Sequence, residues 1–382
     1  MKFPSRGWRL AMIERSVFLG YLRFILALAV VLHHTRGAPY LLSGAFAVEL
    51  FFCISGFYMA MVLEKKYKGR LALFYTNRLY RLLPAYFIAI VLSGIFLLLN
   101  SAPYVTRGEF LLGLQSPQAI PFILSNITVL GQEATAFFSW YPESGSVRFD
   151  ASQSSGVPTY HLLLVPQAWS ISLEMLFYAM APFVVLRSRL RVLWILILIS
   201  FAIRTAILWF DIPYNSWGRR AFPSVAHFFF LGAAAYHLMV TYSAKLRDVR
   251  KSIVVIAFLA LLIVLYRLRF PRQQDWLYFY PVITLFGAVL LPLLFQHLSS
   301  RFEAIMGELS YPIYLFHTVW IGLFESILAK QNVPHKGSIL TVLVVCATIG
   351  SSYLVYRFVE KPVDLIRQRR LKTSLTRDTT PI

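Results

Sequence analysis

Two adjacent histidines, His33 and His34, close an otherwise apolar run, YLRFILALAVVLHHT. Arg23 lies eleven residues before His34. On a helix that spacing is three turns, so Arg23 and His34 share a face about 16 Å apart along the axis. Histidine is the natural general base for a hydroxyl nucleophile near neutral pH. Histidines at a helix end equally suit contact with lipid headgroups.

Other reactive side chains are scattered along the chain. Glu49 falls inside AVELFFCISGFYM and Glu174 inside QAWSISLEMLFYAMAP. Each is an acid in an apolar stretch and needs a partner or a proton. Ser55-Gly56 permits close helix contact. Trp169 and Ser170 precede Glu174. Arg78 and Arg81 stand at i, i+3 in NRLYRLLP, where paired guanidiniums can bind phosphate bidentately. Arginines at a cytoplasmic helix start also satisfy the positive-inside rule with no ligand. In SYPIYLFHT, Ser310, Tyr314 and His317 form one helical stripe, with His317 either supporting its neighbours or reacting itself. Arg357 and Glu360 are expected to pair at i, i+3. Cys53 and Cys346 lie in apolar runs and are expected to pack as small hydrophobes. No metal site is expected.

Membrane helices must position these groups. Of 382 residues, 58% are apolar and 14% charged, and the mean hydropathy is +0.63. A soluble domain carries roughly 25% charged residues, so this chain cannot cover a water-facing surface. The net charge of +20 falls in short clusters between apolar runs, not along one helix or tail. With no RNP-like, zinc-finger or helix-turn-helix signature, no nucleic-acid partner is expected. The partners expected from composition are membrane lipids.

Ten spans are expected, near 17–35, 41–63, 79–99, 168–186, 190–210, 220–242, 252–267, 276–298, 309–329 and 339–358. The first reads as a retained helix, not a signal peptide. With the N-terminus inside, inside segments hold more than twice as many basic residues as outside ones. Arg267–Arg272 is the segment that fits this worst. The expected fold class is therefore all-α: a polytopic membrane helix bundle of about ten transmembrane helices, both termini cytoplasmic. It forms a single domain over residues 1–382, with a basic cytoplasmic tail from about 361. One long extracytoplasmic connection, about 100–167, is rich in Pro, Ser, Gly and Gln; such loops are usually functional or disordered.

Taken together, six segments resemble the acyltransferase-3 family, the membrane O-acyltransferases and O-acetyltransferases of surface polysaccharides. They are Arg23 with His34, AVELFFCISGF (47–57), RLYR followed by LLP (78–84), WSISLE–FY (169–178), SYPIYLFH (310–317) and FVEKP (358–362). They occur in the family's order across almost the whole chain, with Glu49 where the family often has Asp.

The resemblance implies transfer of an acyl group, commonly acetyl, from cytoplasmic acyl-CoA to a hydroxyl of a carbohydrate or glycolipid acceptor, in the bacterial inner membrane. Acetyl-CoA is the expected donor, and cell-envelope polysaccharide biosynthesis the expected setting. In the expected mechanism Arg78 and Arg81 hold CoA phosphates at the inner face, and the thioester threads into the bundle. His34 takes the acceptor proton, Glu49 or Glu174 orients the imidazole, and Arg23 stabilises charge on the thioester oxygen. Trp169, Ser170, Tyr314, His317 and Glu360 are expected to support the site. Direct transfer is expected, although Cys53 and Ser55 leave an acyl-enzyme open. A proton-coupled carrier would use similar intramembrane charges but should often show internal repeats, and none is visible. A non-enzymatic component of a polysaccharide export complex is the third reading.

Overall fold

The computed structural model describes residues 19–39, 42–99, 107–186, 189–247, 286–297, 301–330 and 337–377, with scattered positions between 249 and 263. Its long helices are α1 (Gly20–His34), α2 (Gly44–Lys65) and α3 (Leu71–Leu98). Two short helices follow, α4 (Arg107–Leu114) and α5 (Ile120–Thr128). Then come α6 (Trp169–Val184), α7 (Leu190–Trp209), α8 (Phe222–Thr241), α9 (Leu291–His297), α10 (Arg301–Lys330), α11 (Gly337–Val355) and α12 (Lys361–Arg377).

Among the described residues, six helical segments are long and apolar enough to cross a membrane. They coincide with the expected spans at 41–63, 79–99, 190–210, 220–242, 309–329 and 339–358. The spans at 17–35 and 168–186 coincide with the shorter α1 and α6. That at 276–298 is described only from Phe286, 252–267 is described only at scattered positions, and the N-terminal basic residues and Arg267–Arg272 lie outside the described residues. The chain is an integral membrane protein built as a helix bundle.

Burial separates the helices into two kinds. α2 and α8 are buried nearly throughout, which is why they are apolar on every face. α3, α7 and α11 turn Val91, Leu98, Ile195, Leu198, Val342 and Leu354 outward, as lipid-facing helices do. Helices in lipid associate by close packing, and α2 meets α8 where two glycines permit it. A Cβ on Gly56 would run into the carbonyl of Phe229, and one on Gly232 into the carbonyl of Cys53.

The helices share a sense of direction. Gly20 packs on Glu303 and His34 on His317, so α1 and α10 run parallel. α3 joins them, with Arg81 against Glu308 and Phe96 against Trp320. α2, α6 and α8 run the other way. The bundle therefore has a histidine end and an arginine end. The start of α1 and the end of α11 both lie at the arginine end.

Residues 107–166 fold as a cap on the histidine end. A three-stranded antiparallel sheet, ordered β2 (Ser146–Phe149), β1 (Phe138–Tyr141) and β3 (Val157–Pro158), pairs Phe138 with Phe149 and Trp140 with Val157. Strand is scarce among the described residues and helix dominates, in keeping with an all-α bundle. Buried Trp140, Ile123 and Leu162 give the cap its own small core. Asp150 ties the strand ends by accepting hydrogen bonds from Ser139, Ser152 and Ser155. Those bonds, that from Ser152 foremost, hold its carboxyl well below the usual carboxylate range. The cap is anchored below, where Gln132 Nε2 donates to Tyr86 Oη at 2.7 Å and Ser172 Oγ donates to Glu133.

Candidate active site

His34 ends α1, and its ring lies 5.0 Å from that of His317, centroid to centroid. Protein surrounds His34 on most sides, yet the ring remains accessible, as in a residue lining a recess. Its Nδ1 lies 3.0 Å from the carbonyl oxygen of Val30, one turn back. A carbonyl only accepts, so Nδ1 carries the proton and Nε2 keeps its lone pair. His317 repeats the arrangement, with Nδ1 2.7 Å from the carbonyl oxygen of Tyr314 and Nε2 buried without a hydrogen-bond partner. His33 instead packs its ring against Gly44, at the start of α2. The two histidines of the doublet thus have different surroundings, His34 facing His317 and His33 facing α2.

Around this pair α6 is clamped to α10. Ser170 Oγ lies 2.7 Å from Tyr314 Oη, which donates at 2.7 Å to the carbonyl of Gln167. Gln167 Nε2 donates to the carbonyl of Leu315 at 2.7 Å. Trp169 lies beneath the guanidinium of Arg220, 5.0 Å from its ring centroid. The structure thus brings His34, His317, Tyr314, Ser170 and Trp169 into one neighbourhood.

The carboxylates fall elsewhere. Glu49 is paired with Arg204, which also donates to Tyr214 Oη and, at 2.9 Å, to the carbonyl of Gly218. Glu174 accepts hydrogen bonds from Ser55 Oγ at 2.6 Å and Tyr178 Oη at 2.5 Å. The carbonyl of Val30, not a carboxylate, is the group that holds the His34 ring. Glu174 lies midway between the ends of the bundle, since Ser170 precedes it and Tyr178 approaches Phe74 below it.

At the arginine end, Arg81 is paired with Glu308, and Glu360 and Arg23 act electrostatically on the same carboxylate or its partner. Arg23 thus stands in the arginine-end cluster, about 16 Å of helix from His34. Arg23 and His34 therefore do not belong to one cluster of side chains. Arg78 has no carboxylate partner among the described ion pairs; its guanidinium lies 5.9 Å from the Tyr67 ring centroid and 5.8 Å from that of Phe74. Glu360 is buried, and neither carboxylate oxygen has a hydrogen-bond partner. The expected pairing with Arg357 is not seen. A wide π turn over Tyr356–Glu360 changes the helical register, leaving Arg357 exposed while Glu360 turns inward.

Sequence reasoning missed several participants. In the sequence Arg204 is no more than a charge within a span and Arg220 a charge in a loop. Glu303 was not singled out; its Oε1 accepts from the Leu19 and Gly20 amides at 2.7 and 2.9 Å, capping α1 from another helix. Cys53 is buried in the core as expected, whereas Cys346 faces outward. Among the described residues no group of side chains could hold a metal ion.

A family model described as an acyltransferase domain matches residues 16–357. The chain belongs to this acyltransferase family. It is similar to the O-acetyltransferase OatA of Staphylococcus aureus strain NCTC 8325 / PS 47, at 25% identity over 371 residues. That match covers 90% of this chain and 56% of the relative. OatA of strains COL and MRSA252 matches equally, at 25% identity over 90% of this chain and 56% of each relative. The chain spans little more than half the length of these curated relatives. No solved structure matches it.

Proposed function

We propose that this acyltransferase moves an acetyl group from acetyl-CoA to a hydroxyl of a carbohydrate or glycolipid acceptor in the envelope, from the bacterial inner membrane. The observation that carries the reading is His34: accessible, at the capped end, with Nε2 left unprotonated by the Nδ1 bond to Val30. The names of the relatives support O-acetyl transfer.

In this reading His34 Nε2 removes the acceptor hydroxyl proton as its oxygen attacks the thioester carbonyl carbon. The C–O bond forms, the C–S bond breaks, and CoA leaves as thiolate, to which imidazolium returns a proton. His317 stands next to His34 with a free Nε2 and can accept that proton in relay. Glu174, midway along the bundle, fixes Ser55 and Tyr178 where the pantetheine arm would pass. Arg78 takes donor phosphate at the arginine end, which is assigned to the cytoplasm with both termini. Glu49 serves to hold Arg204 and is not part of the chemistry.

The test is acceptor-dependent release of CoA by the purified protein in lipid, with the transferred acetyl located on the acceptor by NMR. Release that never exceeds the acceptor-free rate, across envelope glycans and small sugars, counts against the reading.

A further inference from the structure

α12 begins four residues after the family match ends at 357, and it is polar: KPVDLIRQRRLKTSLTR. It leans on the first turns of α3. Arg370 reaches Asn77 Oδ1 at 3.5 Å and Thr76 Oγ1 at 3.3 Å, and its guanidinium lies 5.1 Å from the Tyr80 ring centroid. One turn earlier, the Arg367 side chain is only 13% exposed. Its Nη1 donates to Asp364 at 3.0 Å, and its Nε is buried without a hydrogen-bond partner. Arg78 Nε is also buried without one.

The charges around Arg367 are mostly of its own sign. Arg78 and Arg81 act on it, with Asp364 and Tyr67 opposing. Lys66 feels both Arg78 and Arg367. Three carboxylates act on Arg367: Glu308 is occupied by Arg81, Glu360 is buried and makes no hydrogen bond to it, and Asp364 is 42% exposed and so screened by water. Arg369, two positions on, is exposed, so the helix could have left Arg367 in water as well. Guanidiniums drawn together at partial burial repel one another unless an anion joins them. Two edges with unmatched donors suit phosphate oxygens.

We infer that Arg367, on a helix beyond the family-matched region, completes with Arg78 a binding site for clustered phosphate groups. The nucleotide of acyl-CoA and an anionic lipid headgroup share this chemistry. Assigning the nucleotide rests on the acyl-CoA reading above.

The experiment measures adenosine 3′,5′-bisphosphate binding to the full chain in phosphatidylcholine nanodiscs. Retention on phosphatidylglycerol vesicles is the second arm. Arg367→Ala and Arg367→Gln are expected to weaken bisphosphate binding at least tenfold, Arg367→Lys less, and Arg369→Ala not at all. Asp364→Asn removes the competing carboxylate and is expected to tighten binding, a gain that misfolding cannot imitate. Loss confined to the vesicle arm makes the ligand a headgroup and overturns the nucleotide assignment. Unchanged affinity in both arms, for folded Arg367 variants and for Asp364→Asn, overturns the site. Absent CoA release with bisphosphate binding intact strikes the acyl-transfer reading and leaves the site standing.

Discussion

His34 and His317 face each other 5.0 Å apart from parallel helices, each with Nδ1 tied to a carbonyl of its own helix. Both bonds fix the same tautomer, so two Nε2 lone pairs are presented at one end of the bundle. His34 is accessible and His317 buried, so in the proposed reaction the first would meet the acceptor and the second stand behind it.

His34→Ala is therefore expected to lower the acetyl-transfer rate by about 10²–10⁴-fold, the usual worth of a general base. Donor binding should not change. His317→Ala should cost less, and His33→Ala should keep most activity because that ring packs on Gly44. Initial CoA-release rates of folded variants check the order. A dispensable His34 beside an essential His33 would reverse the assignment.

The two arginines of RLYR are expected to behave differently. Arg78→Ala should raise the KM for acetyl-CoA by about tenfold to a hundredfold, the loss of one or two charge-assisted bonds. Arg81→Ala should act on stability, because it strands Glu308 beside Glu360. Adding Glu308→Gln to Arg81→Ala should recover much of the folded yield. Thermal melts in nanodiscs and donor titrations separate the two effects.

Glu49 and Arg204 form a buried pair across α2 and α7. Removing one partner of such a pair typically costs about 3–5 kcal/mol, whereas replacing both by apolar residues is far milder. Glu49→Leu should sharply reduce folded protein, and Glu49→Leu with Arg204→Met should restore it. Size-exclusion recovery reads this. If Glu49→Leu folds normally yet abolishes transfer, the carboxylate belongs to the chemistry after all.

The cap should loosen in acid. The folded-state pKa of Asp150 is depressed, so its ionised form stabilises the loop. That contribution is complete above the ordinary aspartate pKa of about 3.9 and is lost as pH falls from there through the depressed value. Cleavage between Phe149 and Val157 by an acid-active protease should rise as pH falls below about 4. Asp150→Asn should be cut readily at every pH.

Much of the bundle was legible because a lipid-spanning helix writes itself as a long apolar run, with α7 and α11 the plainest cases. His34 and His317 each stand out in the sequence as a histidine in an apolar run, but their meeting across two helices does not. Pairings between distant helices were not. Nothing in the local sequence joins Glu49 to Arg204, Arg81 to Glu308, or Glu303 to the start of α1. The Arg357–Glu360 expectation failed because a π turn shifts the register, and spacing rules assume a uniform helix. The cap was hidden because its strands are short and its order depends on one aspartate among serines.

The meeting of Gly56 and Gly232 with opposing backbone carbonyls bears on how the molecule can move. At those two crossings backbone meets backbone, so no rotamer change can widen the gap there, and beside them Phe52 stacks on Phe229 with ring centroids 4.4 Å apart. α2 and α8 form a single stiff beam through the middle of the bundle. Parting these two helices would have to open both crossings at once, so the bundle breathes most readily along the seams between this pair and its neighbours.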